Sequence, residues 1–356
     1  MGNRTWVITG VSIALVSIGV LVFDAIVETR QQHRADAASA TESLPSTSQP
    51  KTDRREAPNT SQQPITPIPT SINVNKPVAR VGWHLFRDPN LSSNHQVSCE
   101  SCHSLKSNGA ETIPVSVGVG GRGIRNSLTV FNTAYNYRFF WDGRVNSLEA
   151  QLDGPIHNVV EMDSNWQHVS DYVASSQHYE TLFNQANLSI NTENIKLALV
   201  EFMSALTTPN SPFDQFLLGD NTALTEQQRR GWELFQQEGC IRCHRGINIG
   251  GGMVMRFGVF GEATKGADRS SDTGRHLSTS KAEDMYLFRV ASLRNVSDTA
   301  PYFHDGQTQT LEDAIKIMAE SQLGKTFDDT HVADLKAFLE SLSGQHPAIL
   351  QEFENE

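Results

Sequence analysis

Four cysteines and two of the twelve histidines carry the most specific chemistry in this sequence. Cys99 and Cys102 are followed directly by His103, and Cys240 and Cys243 directly by His244. A CxxCH motif offers two thiols that can form thioethers with the vinyl groups of a haem, while the adjacent imidazole ligates the iron from one side. Two copies make the signal strong. Zinc is the competing use of CxxC pairs, but these pairs lie much farther apart than finger spacing allows, and zinc does not need a histidine immediately after each. Dithiol redox chemistry is the other alternative. Two covalently bound haem c groups are the expectation, and attachment through reduced thiols points to the periplasmic side of a bacterial inner membrane.

The ligand opposite each histidine decides between electron transfer and small-molecule chemistry. For the second motif Met253 and Met255 lie too near to loop round easily, which leaves Met285 and Met318. Met318 shares an amphipathic stretch with Leu311, Ala314 and Ile315, where a plain core methionine is the alternative. For the first motif Met162 is the methionine at comparable distance and His157 the nearest histidine. Ligation by either would make the protein a dihaem electron carrier.

The elements that position these groups follow from an internal repeat. Gly82-Trp83-His84-Leu85-Phe86 returns as Gly231-Trp232-Glu233-Leu234-Phe235, each ahead of a CxxCH. Val78, Val81, Gly82, Leu85 and Phe86 form a helical stripe, and Thr225 with Gln228 reads as a capping box for the second copy. Each unit closes on a related amphipathic helix, around Leu199 to Leu206 and Leu335 to Leu342. Asn210-Ser211-Pro212 reads as a turn, and only runs such as 112–119 suggest strand. The fold class expected is mainly α, two cytochrome c-like domains in tandem at 76–218 and 219–356.

With 356 residues, 38% of them hydrophobic and 19% charged, the chain has material for two cores, which excludes wholesale disorder. Its 40 acidic and 29 basic residues leave a net charge of −11, and nucleic acid is not an expected partner. Residues 6–23 carry no charge, and with the apolar residues just beyond Asp24 they approach the length of a membrane span, so 1–27 reads as an inner-membrane anchor. A cleaved signal peptide, leaving a soluble periplasmic protein, is the alternative. Seven of the 14 prolines lie between Pro45 and Pro77, and 28–75 reads as a disordered tether.

The order of motifs after residue 76 resembles the bacterial dihaem cytochrome c peroxidases. Those motifs are PVSVGVGGRGIRNSLTVFN at 114–132, FWDGR at 140–144, EAQLDGP at 149–155, VEM at 160–162, LRNVSDTAPYFHDG at 293–306 and IMAESQLGK at 317–325, interleaved with the two CxxCH. The methylamine-utilisation dihaem oxygenases are similar relatives, and an oxygenase-like enzyme acting on a protein substrate is the alternative activity the resemblance implies. The resemblance implies a peroxidatic first haem and a His244/Met318 electron-transfer haem. It also implies Glu161 and Gln151 in the peroxide pocket, Trp141 between the haems, and calcium held by the Asn126 side chain and the carbonyls of Thr299 and Pro301. Hydrogen peroxide would be the substrate, a monohaem cytochrome c or a cupredoxin the donor, and a homodimer a common state. One departure stands out. Family members commonly carry a histidine in the loop after the first CxxCH that caps the first iron, whereas here Val119 stands in that loop and no histidine occurs between His103 and His157. The loop glycines suggest mobility.

Overall fold

The computed structural model describes residues 64–261 and 271–355. The expected anchor at 1–27 and most of the expected tether lie outside the described residues. Among the described residues no helix is long and apolar enough to cross a membrane. The described chain is mainly helical, as expected. Its first half runs through α1 (Lys76–Arg87), α2 (Leu148–His157), α3 (Trp166–Ser175), α4 (Gln177–Gln185) and α5 (Thr192–Ala205). The second half runs through α6 (Pro212–Leu217), α7 (Glu226–Gln237), α8 (Leu311–Met318) and α9 (Asp329–Glu340), and α10 (Ala348–Glu354) ends the chain.

The repeat read from the sequence is a repeated helix crossing. In α1 the Asn75 side chain caps the Val78 N–H, Pro77 sits in the first turn, and Val78, Val81, Gly82, Leu85 and Phe86 are buried. The Thr225/Gln228 capping box opens α7. α1 packs on α5 and α7 on α9. A Cβ on Gly82 would overlap the Ala198 carbonyl and stand 2.7 Å from the Phe202 Cβ, and one on Gly231 would overlap the Asp334 carbonyl and stand 2.7 Å from the Phe338 Cβ. Only glycine permits backbones this close.

Duplication extends into the irregular segments. Asn132 and Asn295 both adopt left-handed backbone, at φ 62° and 59°, and so do Phe140 and Phe303, at 63° and 67°. Isolated antiparallel bridges join Phe139 to Val145 and Tyr302 to Thr308. Ser147 caps α2 as Thr310 caps α8. In this register Trp141 corresponds to His304, Gln151 to Ala314 and Pro155 to Met318.

Three expectations need correction. The suggested strand at 112–119 shrinks to β1 (Val117–Gly118), which pairs antiparallel with β2 (Gly121–Arg122); β3 (Val254–Arg256) pairs likewise with β4 (Leu287–Arg289). Asn210-Ser211-Pro212 is a helix start, because Ser211 forms a capping box with Asp214 and Pro212 takes the first helical position. Leu206 belongs to the first core and Phe213 to the second, so the cores divide between those residues and not at 219.

The termini cross over. Residues 64–68, expected as tether, lie against the second half, while Ile72 and Val74 pack on the first: Ile65 joins the second core and the Pro64 carbonyl accepts from Gly246 N–H at 2.7 Å. The Ile68 N–H donates to Asp214 Oδ1 at 3.1 Å, and Arg294 donates to the Thr66 carbonyl at 3.2 Å. Asp214 and Arg294 form a fully buried ion pair at 2.7 Å. In the other direction Ile349, Leu350 and Phe353 of α10 enter the first core. Composition disguised this strap, since Ile65 and Ile68 among prolines and threonines give no periodicity. Ile65→Ala should cost about 2–5 kcal/mol, the range for a buried isoleucine truncated to alanine. A urea titration followed by fluorescence checks this through a lowered midpoint at unchanged slope.

Candidate functional site

The second CxxCH opens onto a cavity of about 400 Å³ whose lining includes Cys240, Cys243, His244 and Met318. Phe235, Phe257, Leu335 and Leu339 supply apolar wall. Met318 is the last residue of α8, so the amphipathic helix read from the sequence brings its thioether to the chamber that also holds His244. Burial pulls the His244 imidazole down to about 4 and pushes the Cys240 thiol up to about 11. A neutral imidazole and two neighbouring thiols suit iron ligation and thioether formation.

The same cavity contains a buried cation that the sequence reading missed. Arg289 is 5% exposed, and among the described residues its Nε and Nη1 have no hydrogen-bond partner. Burial alone lowers its guanidinium to about 10, so it stays charged at neutral pH. Leaving such donors unmatched is expensive. A flat apolar ring bearing carboxylates would suit the apolar walls and could give Arg289 an anion; Cys240, Cys243 and His244 would hold it.

Around the first motif, Cys99–Cys102 forms a single helical turn and the Phe86 ring stands 6.4 Å from that of His103. Burial brings His103 down to about 4 and raises Cys99 to about 12 and Cys102 to about 11. The Leu128 backbone faces His103 as the Ala291 backbone faces His244, another mark of the duplication. Glu161 is close enough for its charge to act on both thiols. Burial raises its carboxyl above the ordinary range, outweighing the Asn158 amide, which donates to Oε1 at 2.7 Å, and the nearby Arg144 charge.

Backbone contacts fix Glu161 from the loop after the motif. Val119 N–H donates to the Glu161 carbonyl at 2.8 Å and Gly120 N–H to the Val160 carbonyl at 3.2 Å. A Cβ on Gly118 would stand 2.6 Å from the Glu161 Cα. The glycine suggested mobility; its structural use is close approach.

Arg125 ties this loop to both halves. Its Nε and Nη2 grip Asp272 at 2.7 and 2.9 Å, and its Nη1 reaches Asp142 at 3.0 Å. Next to it, Asn126 N–H donates to the His304 carbonyl at 2.7 Å, and the Asn126 carbonyl accepts the Trp141 indole N–H at 2.8 Å. The Trp141 and His304 rings lie edge to face, 6.2 Å apart.

Comparison with known proteins follows the same pattern. A family model described as di-haem cytochrome c peroxidase matches residues 76–222. Cytochrome c551 peroxidase of Pseudomonas aeruginosa is 42% identical over 294 residues, covering 80% of this chain and 85% of that protein. The chain belongs to the dihaem cytochrome c peroxidase family. It is an oxidoreductase of the cytochrome-c peroxidase class, and the family implies two haem c groups. Cytochrome c551 peroxidase of Nitrosomonas europaea is 37% identical, covering 80% of this chain and 85% of that one. A crystal structure of a MauG-like protein associated with microbial copper homeostasis shares the fold at a TM-score of 0.69 and 24% identity, covering 82% of this chain and 96% of the other.

Within this family member, the expected site residues fall into two groups. Trp141, Asn126, Thr299, Pro301, Cys240, Cys243, His244 and Met318 line one cavity. Cys99, Cys102, His103 and Glu161 cluster around the first motif. Gln151 sits half-buried on the second turn of α2. The Asn126 amide nitrogen donates to the Ile113 carbonyl at 3.2 Å, which leaves its oxygen for another partner. Arg125, Asn158 and Arg289 went unnoticed because lone polar residues in a loop or strand carry no spacing signal.

The Arg125 clamp makes a pH prediction. Burial pushes Asp272 up, but the Arg125 guanidinium outweighs it and holds the carboxyl below the ordinary range; for Asp142, likewise buried, the Arg144 charge, the Ser278 hydroxyl and Arg125 do the same. A depressed folded value contributes stability that is present above the unfolded value of about 3.9 and is lost as pH falls through the folded one. Asp272→Asn should therefore cost on the order of 3 kcal/mol at neutral pH, with the gap from wild type narrowing in acid. Urea midpoints measured across the acid range test both parts.

Proposed function

We propose that the protein reduces hydrogen peroxide to water at the first CxxCH, using electrons delivered through the second from a small redox protein such as a monohaem cytochrome c or a cupredoxin. The observation that carries this reading is the unequal duplication. Met318 shares a cavity with His244, whereas the corresponding position in the first half is Pro155, which has no lone pair for iron. When bound, the haems supply an iron that accepts peroxide and a second iron that stores an electron.

This chain's own residues do the rest. Cys99 and Cys102 hold one group with His103 as ligand; Cys240 and Cys243 hold the other with His244 and Met318. Glu161, anchored by Val119 and Asn158, moves a proton from the inner to the outer oxygen of peroxide, and Gln151 helps orient the substrate. Trp141 stands between the two sites. Asn126, with the carbonyls of Thr299 and Pro301, takes a calcium ion, a set of neutral oxygens that calcium accepts when water completes its shell. The body works on the periplasmic side of the inner membrane, with the apolar run at 6–23 as its tether or as a signal removed on export. Two copies associate as a homodimer.

Glu161→Gln should lower peroxide turnover about 100-fold while both haems remain attached, as loss of a general acid–base group requires. In the wild type, turnover should rise with pH through a carboxyl value above the ordinary glutamate figure of about 4.3, because the base must be ionised; the variant should lose that limb. Steady-state rates across pH, with mass spectrometry of the denatured protein, provide the check.

The loop departure has its own consequence. Val119 offers iron no donor, and its backbone is engaged with Glu161. With both irons ferric, the first haem should be open and high-spin and should bind peroxide without prior reduction. Absorption and paramagnetic-resonance spectra of the fully oxidised protein decide this: two low-spin haems, with activity only after one-electron reduction, would refute it and direct attention to His157 or Met162.

A further inference from the structure

Two phenols, one buried and one half-buried, share one carboxylate beside the first motif, and the peroxide chemistry proposed above assigns them no task. Tyr179 is 2% exposed and its O–H donates to Asp88 Oδ2 at 2.8 Å. Tyr172 is half-buried and its O–H donates to the same oxygen at 2.9 Å. The two rings are 6.1 Å apart. Asp88 has a structural duty, accepting the Asn90 N–H and Nδ2 at 2.9 Å each, but Oδ1 performs it. Oδ2 is left to the phenols.

The location is suggestive for the same reason. Asp88 follows α1 two residues after Phe86, whose ring packs on His103, and Tyr179 lies in the core against which Cys99 packs. Oxidising a phenol in apolar surroundings is uphill unless its proton leaves with the electron. A carboxylate within hydrogen-bond distance is placed to take that proton.

We propose that Tyr179 and Tyr172, with Asp88 as their common base, form an outlet for an oxidising equivalent at the first site when no electron arrives from the second. This rests on the peroxidase reading. One electron leaves Tyr179 to fill the equivalent left by peroxide reduction, the phenolic proton passes to Asp88 Oδ2, and a neutral phenoxyl radical remains. Tyr172 then gives an electron and a proton to Tyr179 through the shared carboxylate, which moves the radical outward to the half-buried ring. An electron from an external reductant, with the proton held by Asp88, restores the pair.

The test uses full-length, haem-loaded protein, one sample with both irons ferric and one reduced by a single electron, each mixed with excess hydrogen peroxide without electron donor and frozen rapidly for paramagnetic resonance. A tyrosyl signal is expected, narrowing when the protein is grown with ring-deuterated tyrosine. Tyr179→Phe should abolish it and hasten haem bleaching. Tyr172→Phe should confine the radical to Tyr179. Asp88→Asn, which keeps the shape but not the base, should slow radical formation about 100-fold. The outlet is overturned if the wild type gives no tyrosyl signal, if the signal belongs to tryptophan, or if it persists unchanged in the Tyr172→Phe/Tyr179→Phe double variant. Donor-supported peroxide reduction by the same wild-type sample separates the two failures: its absence sinks the peroxidase reading, whereas its presence without a tyrosyl signal sinks only the outlet.

Discussion

The missing Cβ at Gly82 and Gly231 is the constraint from which the arrangement of both sites follows. At each crossing the backbone of the opening helix touches that of the closing helix, at Ala198 and at Asp334. A larger residue would push the helices apart. The CxxCH motif follows the opening helix in each half, and the crossing sets where its histidine lies: Phe86 packs on His103 and Phe235 on His244, with ring centroids 6.4 Å apart in both halves. A residue with no side chain thus positions the residues with the most chemistry.

On this common frame, substitutions at corresponding positions give two different environments. Met318 and Pro155 occupy the same place on equivalent helices, so one half offers a thioether where the other offers none. His304 and Trp141 correspond as well, and the fold turns them towards each other across the boundary between halves. Gln151 answers to Ala314. The acid–base candidate Glu161 lies beyond the paired helices, in a stretch held by the glycine loop, so the two halves differ both on the paired helices and after them.

Much of this was legible in the sequence because spacing carried it. The CxxCH pairs, the GW-LF repeat, the Thr225 cap and the placement of Met318 on an amphipathic helix are periodic or local signals, and each element lies where the pattern puts it. The strap at 64–68 was not legible, since its hold comes from Ile65, the Ile68 N–H and a buried ion pair contributed by residues far along the chain. The same holds for α10, whose apolar face returns to the first core. Arg289 and Asp88 read as ordinary charged residues; only their burial and partners distinguish them. Expecting a boundary at 219 followed from turn signals in Gly219-Asp220-Asn221, whereas cores divide where side chains change sides, between Leu206 and Phe213.

The boundary between the halves is polar, and its hydrogen bonds are directed. Asn248 Nδ2 donates to Asn136 Oδ1 at 2.9 Å and Ser292 Oγ at 3.0 Å, while Asn132, Thr208 and Asn295 form a buried chain of their own. An apolar seam of similar size would tolerate sliding; directed hydrogen bonds fix one register. Trp141 is held in that register from both ends, its indole N–H by Asn126 and its carbonyl by Arg289 N–H at 2.6 Å. Among the described residues Arg289 Nε and Nη1 have no hydrogen-bond partner, while the Arg289 backbone bonds to Trp141, so a single residue of the second half carries an unmatched charge into the cavity wall and holds an aromatic ring of the first half against the same wall.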